Sequence, residues 1–332
     1  MPRALVSTVI PVFNRPAFLR EAVASVLAQQ GCELEVLIVD DGSTDDTRAA
    51  ALELAEQHPD IVKVLSQANA GPGAARQAGV EKCRGEYIQF LDSDDLLERT
   101  KFAEQLAALA DDPQAGIAYG KTYTRIDGIR QATPAQKSGE RFRDIFPTLL
   151  TGRIWETSTP LYRRDALRRI GAWPDKRQLE DLEFDAQAGA AGIKLAYCDS
   201  FVSEYRVHAG PRLAHAWQTD PGAMRDRLHA HVAVLTHARL AGMRNDQPEM
   251  QTYARTLFWL ARNAGEAGYP EEARHLLALA SELCSTRAMR SLGISAYRRL
   301  ASVLGWKALG RMSHAVESIR DARAGLRRIF LR

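Results

Sequence analysis

Polar and acidic side chains follow three strand-like segments within the first hundred residues. Asp92-Ser93-Asp94 comes after YIQFL, Asp40-Asp41 comes after EVLIV, and Asn14 comes after the apolar run that ends at Val12. Two carboxylates beside a small residue can hold a hard divalent cation and leave room for a diphosphate. The alternative, for the triplet alone, is a polar exit from a strand. Polar or acidic residues recur at successive strand ends, and this recurrence favours a binding site.

Strand and helix patterns alternate around these polar positions. Strands are predicted at 7–12, 35–39, 61–65 and 87–91, and helices at 17–29 and 74–83. This alternation is typical of a parallel α/β sheet, in which ligands bind outside the carboxyl ends of the strands. We therefore expect the three polar strand ends to meet at one edge of the sheet.

Two further segments suit a nucleotide. A carboxylate within 40–43 (DDGS) can accept the N3–H of a uracil ring, while the alternative is that Asp41, Ser43 or Thr44 caps the next helix. Arg76 follows the Gly-rich turn 69–73 near a helix N-terminus, where amides and a guanidinium favour an anion such as pyrophosphate. The alternative for Arg76 is an exposed structural arginine.

The segment from Thr8 to Asp95 resembles the donor half of the inverting family 2 glycosyltransferases, which have the GT-A fold. The pieces VIPVFNR, VLIVDDGSTDDT, NAGPGAARQAG and GEYIQFLDSDD match the family in order and spacing. The resemblance implies an α/β, Rossmann-like, mostly parallel sheet that binds a nucleotide-diphospho-sugar.

The same resemblance implies roles for individual residues. The nucleotide-sugar-binding set is Pro11, Phe13, Asp41, Arg76, Asp92 and Ser93. Pro11 and Phe13 would line the base pocket and Asp41 would contact the base. Arg76 would lie near the base and phosphates, and Asp92 and Ser93 would contact the ribose side. Asp94 would bind the cofactor, Mn²⁺ or Mg²⁺.

The acceptor half contains the pair Glu180-Asp181, preceded by Gly171-Ala172-Trp173. In the family, the Asp of such a pair is the general base, and one carboxylate near an acceptor hydroxyl could remove its proton. The alternative is an acidic helix start stabilised by the helix dipole. The sequence departs from the family at 184–188 (FDAQA), where an Arg usually follows the pair by about one turn.

Three more positions carry acceptor or metal predictions. His208, within YRVH, could complete the metal site or be structural, and Arg206 beside it could pair with phosphate. Trp155 could stack on an acceptor sugar or lie in the core. Glu180 is predicted, with Trp155, to contact the acceptor.

The composition excludes several classes of protein. The 332 residues are 45% hydrophobic and 26% charged, which is typical of a globular protein. Four cysteines without a CxxC pair disfavour a disulfide framework or a zinc site and suit a reducing cytosol. No signal peptide and no apolar span of about 18 residues is evident. We expect a cytoplasmic protein, or one peripheral at the inner face of the membrane.

Charge is distributed unevenly along the chain. Residues 223–332 have a net charge of +9, whereas residues 1–222 have about −6. On charge alone the basic part could face nucleic acid or an acidic lipid surface. Within it, 251–283 predicts a helical hairpin, and the basic and apolar residues of 298–332 suit either a helix on an anionic bilayer or a solvated bundle.

These observations predict a GT-A catalytic domain at 1–215, with a donor half at 1–98 and an acceptor half at 99–215. A basic α-helical domain would occupy 216–332. The expected activity is transfer of a sugar from a UDP-sugar to a glycan or lipid-linked glycan acceptor, with no nucleic acid as partner. The alternatives are a catalytically inactive nucleotide- or glycan-binding module and a sugar nucleotidyltransferase.

Overall fold

The computed structural model describes residues 3–208, 220–284 and 293–312. The chain divides into two compact units, one formed by Met1–Leu213 with Ala233–Gly242 and the other by Ala214–Val232 with Met243–Arg332. The predicted boundary at 215/216 falls within 209–219, outside the described residues.

Alternating strands and helices build the first part of the larger unit. In chain order they are β1 (Leu5–Val12), α1 (Pro16–Leu27), β2 (Glu33–Asp40), α2 (Thr47–Gln57), β3 (Val62–Ser66), α3 (Pro72–Lys82) and β4 (Tyr87–Phe90). The strands are rich in Val, Ile and Leu, and β1 and β2 are buried along most of their length because helices cover both faces of a parallel sheet. The predicted strands and helices of this region are confirmed.

Shorter and more varied elements follow. They are β5 (Leu96–Leu97), α4 (Lys101–Asp111), β6 (Ala115–Ile126), β7 (Ile129–Arg130), a 3₁₀ turn (Thr148–Thr151), β8 (Leu161–Arg163), α5 (Arg164–Ile170), α6 (Glu180–Ala190) and β9 (Lys194–Val207).

One mixed sheet joins both groups of strands, in the order β3-β2-β1-β4-β8-β6-β9-β5, with β7 paired to β6. The pairs β1/β2, β1/β4 and β2/β3 are parallel, whereas β8 is antiparallel to both β4 and β6. The first four strands therefore end at the same edge of the sheet.

The start of α2 differs from the prediction. Capping by 41–44 is wrong, because the helix begins at Thr47, whose amide donates to Asp45 Oδ1 at 2.9 Å. The hydroxyls of Ser43 and Thr44 instead contact Asn14.

The smaller unit is helical where it is described. Its helices are α7 (Pro221–Leu240, which also contributes residues to the larger unit), α8 (Pro248–Ala267), α9 (Pro270–Leu283) and α10 (Ile294–Leu304). The predicted hairpin is confirmed. Gly268, in the left-handed conformation, caps the C-terminus of α8, and α9 begins at Pro270. No helix among the described residues is long and apolar enough to cross a membrane.

Candidate active site

The loop after β1 contacts the loops that follow β2 and β4. The Asn14 amide donates to Ser43 Oγ at 3.1 Å, and its side chain meets the Thr44 hydroxyl at 3.1 Å. The next residue, Arg15, forms an ion pair with Asp94. The polar strand ends therefore come together at one edge, as expected from a parallel sheet.

Asp94 lies beside His208, 114 residues later in the sequence. Its Oδ2 is 3.0 Å from His208 Nε2 and also pairs with Arg15. The Phe18 ring lies 4.8 Å from the imidazole and limits its position. Burial acts to raise the pKa of Asp94, but Arg15 and His208 outweigh it, so the pKa lies below its usual value. Asp94 is therefore an ionised carboxylate at neutral pH.

This pair fits one side of a divalent cation site. A carboxylate and an imidazole nitrogen that converge on one point are suitable metal ligands. Among the described residues, no group of three or more His, Cys, Asp or Glu side chains could hold a metal. A cation here would therefore need phosphate oxygens from a ligand, which is how Mg²⁺ often binds in nucleotide sites. It would also have to replace Arg15 at Asp94.

The rest of the acidic segment has other roles. Asp92 pairs with Arg76, and Ser93 is buried. Asp95, also buried, accepts hydrogen bonds from Ser158 Oγ at 2.8 Å and from the Arg206 amide at 3.1 Å. Burial, followed by the charges of Asp94 and Asp92, raises the pKa of Asp95 well above its usual value. Asp95 therefore anchors the segment, a role that the sequence did not indicate.

Arg206 also serves this segment. Its Nε donates to the Asp94 carbonyl oxygen, and its Nη1 pairs with Glu21 on α1. The guanidinium lies 4.8 Å from the centre of the Phe18 ring. Arg206 therefore supports the loop that carries Asp94, and its pairing with phosphate stays a prediction.

Asp41 shapes the Gly-rich loop. One carboxylate oxygen accepts hydrogen bonds from Gln67 Nε2 and the Ala70 amide, and the other accepts one from the Gly71 amide, all at 2.8 Å. Gly71 has φ +95°, which suits glycine. Contact of Asp41 with a base stays a prediction, and it would come in addition to this structural role.

Arg76 connects the end of β4 to the start of α6. Its Nη2 is 2.6 Å from Asp92 Oδ1 and its Nη1 is 2.7 Å from Glu180 Oε1. The side chain is buried and lies over the Trp173 ring, 4.7 Å from its centre. The alternative of an exposed structural arginine is therefore wrong, because this guanidinium is buried between two carboxylates.

The Gly-rich loop packs closely against the segment that leads into α6. A Cβ on Gly73 would collide with the Pro174 carbonyl oxygen. Arg177 donates to the Asn69 side-chain and main-chain oxygens at 2.6 and 2.9 Å. Just before the helix, Leu179 has φ +56°, a costly conformation for a leucine. The start of α6 is therefore positioned by the donor half.

Asp181 contacts an arginine that the sequence did not indicate. Arg153 Nη1 is 2.7 Å from Asp181 Oδ2, and the Thr157 hydroxyl donates to the same oxygen at 3.2 Å. Burial would raise the pKa of Asp181, but Arg153 and then Arg76 lower it below its usual value. Neighbouring Glu180 differs, because burial and the charge of Asp181 raise its pKa to about 7.

The remaining predicted residues divide between surface and core. Phe13 is 43% exposed at the end of β1, where a planar ligand could reach it, and Pro11 is buried within the strand. Trp155 is 1% exposed and donates to Asp185 Oδ1 at 3.1 Å. Its predicted contact with an acceptor sugar is therefore wrong, since the ring lies in the core. Glu180 is held by Arg76 and faces the donor half rather than open solvent.

Known proteins resemble this chain in sequence. Residues 7–171 match the family described as Glycosyl transferase family 2. An uncharacterized glycosyltransferase of Nostoc sp. is 36% identical over 173 residues, and the alignment spans 50% of this chain and 52% of that protein. EpsJ of Bacillus subtilis, also an uncharacterized glycosyltransferase, is 28% identical over 251 residues, or 72% of each chain. The chain thus spans only about half the length of the Nostoc relative.

Solved structures share the fold. S. aureus TarS 1-349 in complex with UDP-GlcNAc has a TM-score of 0.70 at 17% identity, and the alignment covers 96% of this chain and 92% of that TarS 1-349 chain. The mannosyltransferase PcManGT of Pyrobaculum calidifontis, in complex with GDP-Man and Mn²⁺, has a TM-score of 0.54 at 18% identity, covering 97% and 88%. The fold is therefore of the GT-A type, as predicted.

Through residues 7–171 the chain belongs to glycosyltransferase family 2, which confirms the resemblance seen in the sequence. Glu180 and Asp181 lie beyond the matched segment, so their roles depend on the contacts described above.

Proposed function

We propose that this protein is a metal-dependent, inverting glycosyltransferase that moves a sugar from a UDP-sugar to a hydroxyl of a glycan or glycolipid acceptor. A place in surface polysaccharide synthesis would suit such an acceptor. The observation that carries the proposal is the Arg76 bridge, which joins Asp92 at the end of β4 to Glu180 beside Asp181. The predicted donor and base residues thus belong to one network in a family 2 protein.

The donor side would use the edge formed by the strand ends. Exposed Phe13 suits a base, and the N-terminus of α3, which follows the Gly-rich loop, suits a diphosphate. Asp94 and His208 would hold Mn²⁺ or Mg²⁺, and the bound cation would neutralise charge on the departing diphosphate. TarS solved with UDP-GlcNAc and PcManGT solved with GDP-Man and Mn²⁺ support a nucleotide-sugar donor.

The transfer would proceed by direct displacement. Ionised Asp181 takes the proton of the acceptor hydroxyl, and the oxygen forms a bond to the anomeric carbon. The bond from that carbon to the diphosphate oxygen breaks on the opposite face, and the nucleoside diphosphate leaves with the electron pair. This geometry inverts the anomeric configuration.

Donor binding and turnover should be measured separately. Calorimetry with UDP-, GDP- and dTDP-sugars, with and without Mn²⁺, measures donor binding, and release of nucleoside diphosphate measures turnover. Asp94→Ala should lose metal-dependent donor binding. Asp181→Ala should bind the donor normally and lose transfer by a factor of about 10² or more. Asp60→Asn, an exposed position outside the site, is the matched control.

Two outcomes would contradict the proposal. Metal-independent donor binding without turnover would favour an inactive binding module. Normal transfer by Asp181→Ala would show that Asp181 is not the base.

An anionic membrane is the proposed partner of the basic region. Residues 293–312 contain four basic and no acidic residues, and they expose Leu300, Val303, Leu304 and Met312. Val303 is 81% exposed on α10. Apolar side chains beside cations suit the surface of an anionic bilayer, as at the inner face of the cytoplasmic membrane. The remaining basic tail, 313–332, lies outside the described residues.

Vesicle flotation tests this partner. The protein should float with vesicles containing 30% phosphatidylglycerol and stay behind with pure phosphatidylcholine. Arg298→Gln with Arg299→Gln should weaken flotation, since each cation near such a surface contributes about 1 kcal/mol. Equal flotation with both kinds of vesicle would contradict the charge argument.

A further inference from the structure

Arg153 faces three carboxylates on the acceptor side. It follows the 3₁₀ turn, and its side chain is 22% exposed. Its Nη1 lies 2.7 Å from Asp181 Oδ2 and 3.9 Å from Glu156 Oε2, and its Nη2 lies 4.0 Å from Asp185 Oδ2. One guanidinium therefore gathers carboxylates from its own loop and from α6.

The sequence of α6 explains why this arginine matters. About one turn after the Glu-Asp pair, this helix carries Asp185 and Gln187, and its own sequence contains no Lys or Arg. Asp185 accepts a hydrogen bond from the Trp155 indole and turns its other oxygen towards Arg153. The helix thus supplies negative charge around Asp181, and the positive charge of Arg153 comes from another segment.

We propose that Arg153 is a positioning residue that fixes the Asp181 carboxylate for proton removal. The inference rests on the proposed function, in which Asp181 is the base.

The hydrogen bonds of Asp181 support this role. Its Oδ1 accepts from the Leu182 amide at 2.7 Å, and its Oδ2 receives both Arg153 and the Thr157 hydroxyl. Because both oxygens have partners, the carboxylate cannot rotate freely. Without Arg153, the orientation of Oδ2 would depend on a single hydroxyl.

The surrounding charges set the direction of a pH effect. Asp181 interacts with two cations, Arg153 and Arg76, and raises the pKa of three acidic neighbours, Glu180, Asp185 and Tyr162. Burial raises the pKa of Asp185 to about 7 against the opposing effect of Arg153. Removing Arg153 takes away the largest influence that lowers the pKa of Asp181, so that pKa should rise. Because transfer needs the ionised carboxylate, the loss of activity on acidification would then begin at a higher pH than in the native protein.

The pH profile of transfer tests the proposal. Arg153→Gln should bind UDP-sugar within twofold of the native protein and lose about 10²-fold in kcat. The acidic limb of its kcat/KM profile should move up by about one pH unit. Arg153→Lys should recover part of both changes, because it restores the charge beside Asp181 but not the second nitrogen that faces Asp185. Arg169→Gln, on the surface of α5, is the matched control.

Carbon-13 labelling of Asp side chains provides a readout without an acceptor. With the Asp181 signal assigned by Asp181→Asn, its titration should shift upward in Arg153→Gln. An unshifted titration, or an unchanged kcat in a variant that binds donor, would overturn the proposal and leave the proposed function intact. Normal transfer by Asp181→Ala would overturn both.

Discussion

Arg76 Nη1 and Glu180 Oε1 lie 2.7 Å apart although 104 positions separate the residues in the sequence. Both side chains are nearly inaccessible to solvent, so their mutual attraction is weakly screened. The contact explains how the proposed base on α6 can be placed relative to the proposed donor site at the end of β4.

Removing Arg76 should destabilise the protein more at high pH. Arg76→Met leaves Glu180 buried without its cation, at a cost of about 3 kcal/mol when the carboxylate is ionised. The pKa of Glu180 is already raised to about 7, so its neutral form is favoured on folding. The neutral Glu180 side chain contributes to stability at low pH, and this contribution is lost as the pH rises through about 7, the pKa of Glu180 in the folded protein.

Urea unfolding at pH 5.5 and pH 8.5 measures this effect. The stability difference between Arg76→Met and the native protein should be larger at pH 8.5. Adding Glu180→Gln to Arg76→Met should recover part of the loss at pH 8.5, and a double variant as unstable as the single one would refute the pairing argument.

Glu35 should stabilise the sheet at neutral pH. Its buried carboxylate accepts hydrogen bonds from Ser7 Oγ at 2.6 Å and from the Arg84 amide and Nε at 2.7 and 2.6 Å. Burial opposes ionisation, but these hydrogen bonds and Lys63 lower the pKa of Glu35 to about 2.

Glu35→Gln should therefore lose about 2–3 kcal/mol at pH 7. The native protein is more stable than Glu35→Gln at pH values above 4.5, the pKa of Glu35 in the unfolded chain. This difference in stability disappears as the pH falls towards about 2, the pKa in the folded protein. Denaturant midpoints from pH 7 down to pH 3 check this. A stability difference between the native protein and Glu35→Gln that stays constant over this pH range would contradict the lowered pKa of Glu35.

Lys101 is a buried amine that can be replaced. Its Nζ donates to the Thr159 carbonyl oxygen at 2.6 Å, and Gln105 Nε2 donates to the same oxygen at 2.9 Å. Burial lowers the pKa of Lys101 well below its usual value. Lys101→Met removes the cost of burying the amine and leaves the carbonyl satisfied by Gln105.

We expect Lys101→Met to be as stable as the native protein or about 1 kcal/mol more stable. The stability of Lys101→Met relative to the native protein should be greater at pH 6 than at pH 10. The reason is that Lys101 is protonated in the unfolded chain at pH 6, whereas burial disfavours its protonated form in the folded protein, which lowers the native free energy of unfolding. Adding Gln105→Leu should reverse the gain by leaving the Thr159 carbonyl unpaired. Thermal unfolding of the three proteins measures these differences.

The sequence predicted the parts of the site that follow from strand periodicity. Asp94 and Asp41 lie where the strand-end rule places them. His208 beside Asp94 was suggested by the family motif rather than by any local pattern. The sequence could not show that Asp41 binds the amides of its neighbouring loop, because that depends on how the loop folds back.

Arg15 and Arg153 show a second limit. Both lie in irregular segments, where no period relates a side chain to a face. Arg15 lies in the short loop between β1 and α1, beside the polar strand end, and could have been suspected on that ground. Arg153 reaches Asp181 only through the tertiary fold, so no spacing in the sequence pointed to it.

The contact between Gly73 and Pro174 has a consequence for engineering donor preference. Since no side chain fits between them, the turn at 69–73 and the stretch at 174–180 form one unit for recombination. A chimera that imports a relative's donor loop alone would pair it with a mismatched counterpart. Exchanging both stretches together keeps the spacing between the proposed donor site and the proposed base.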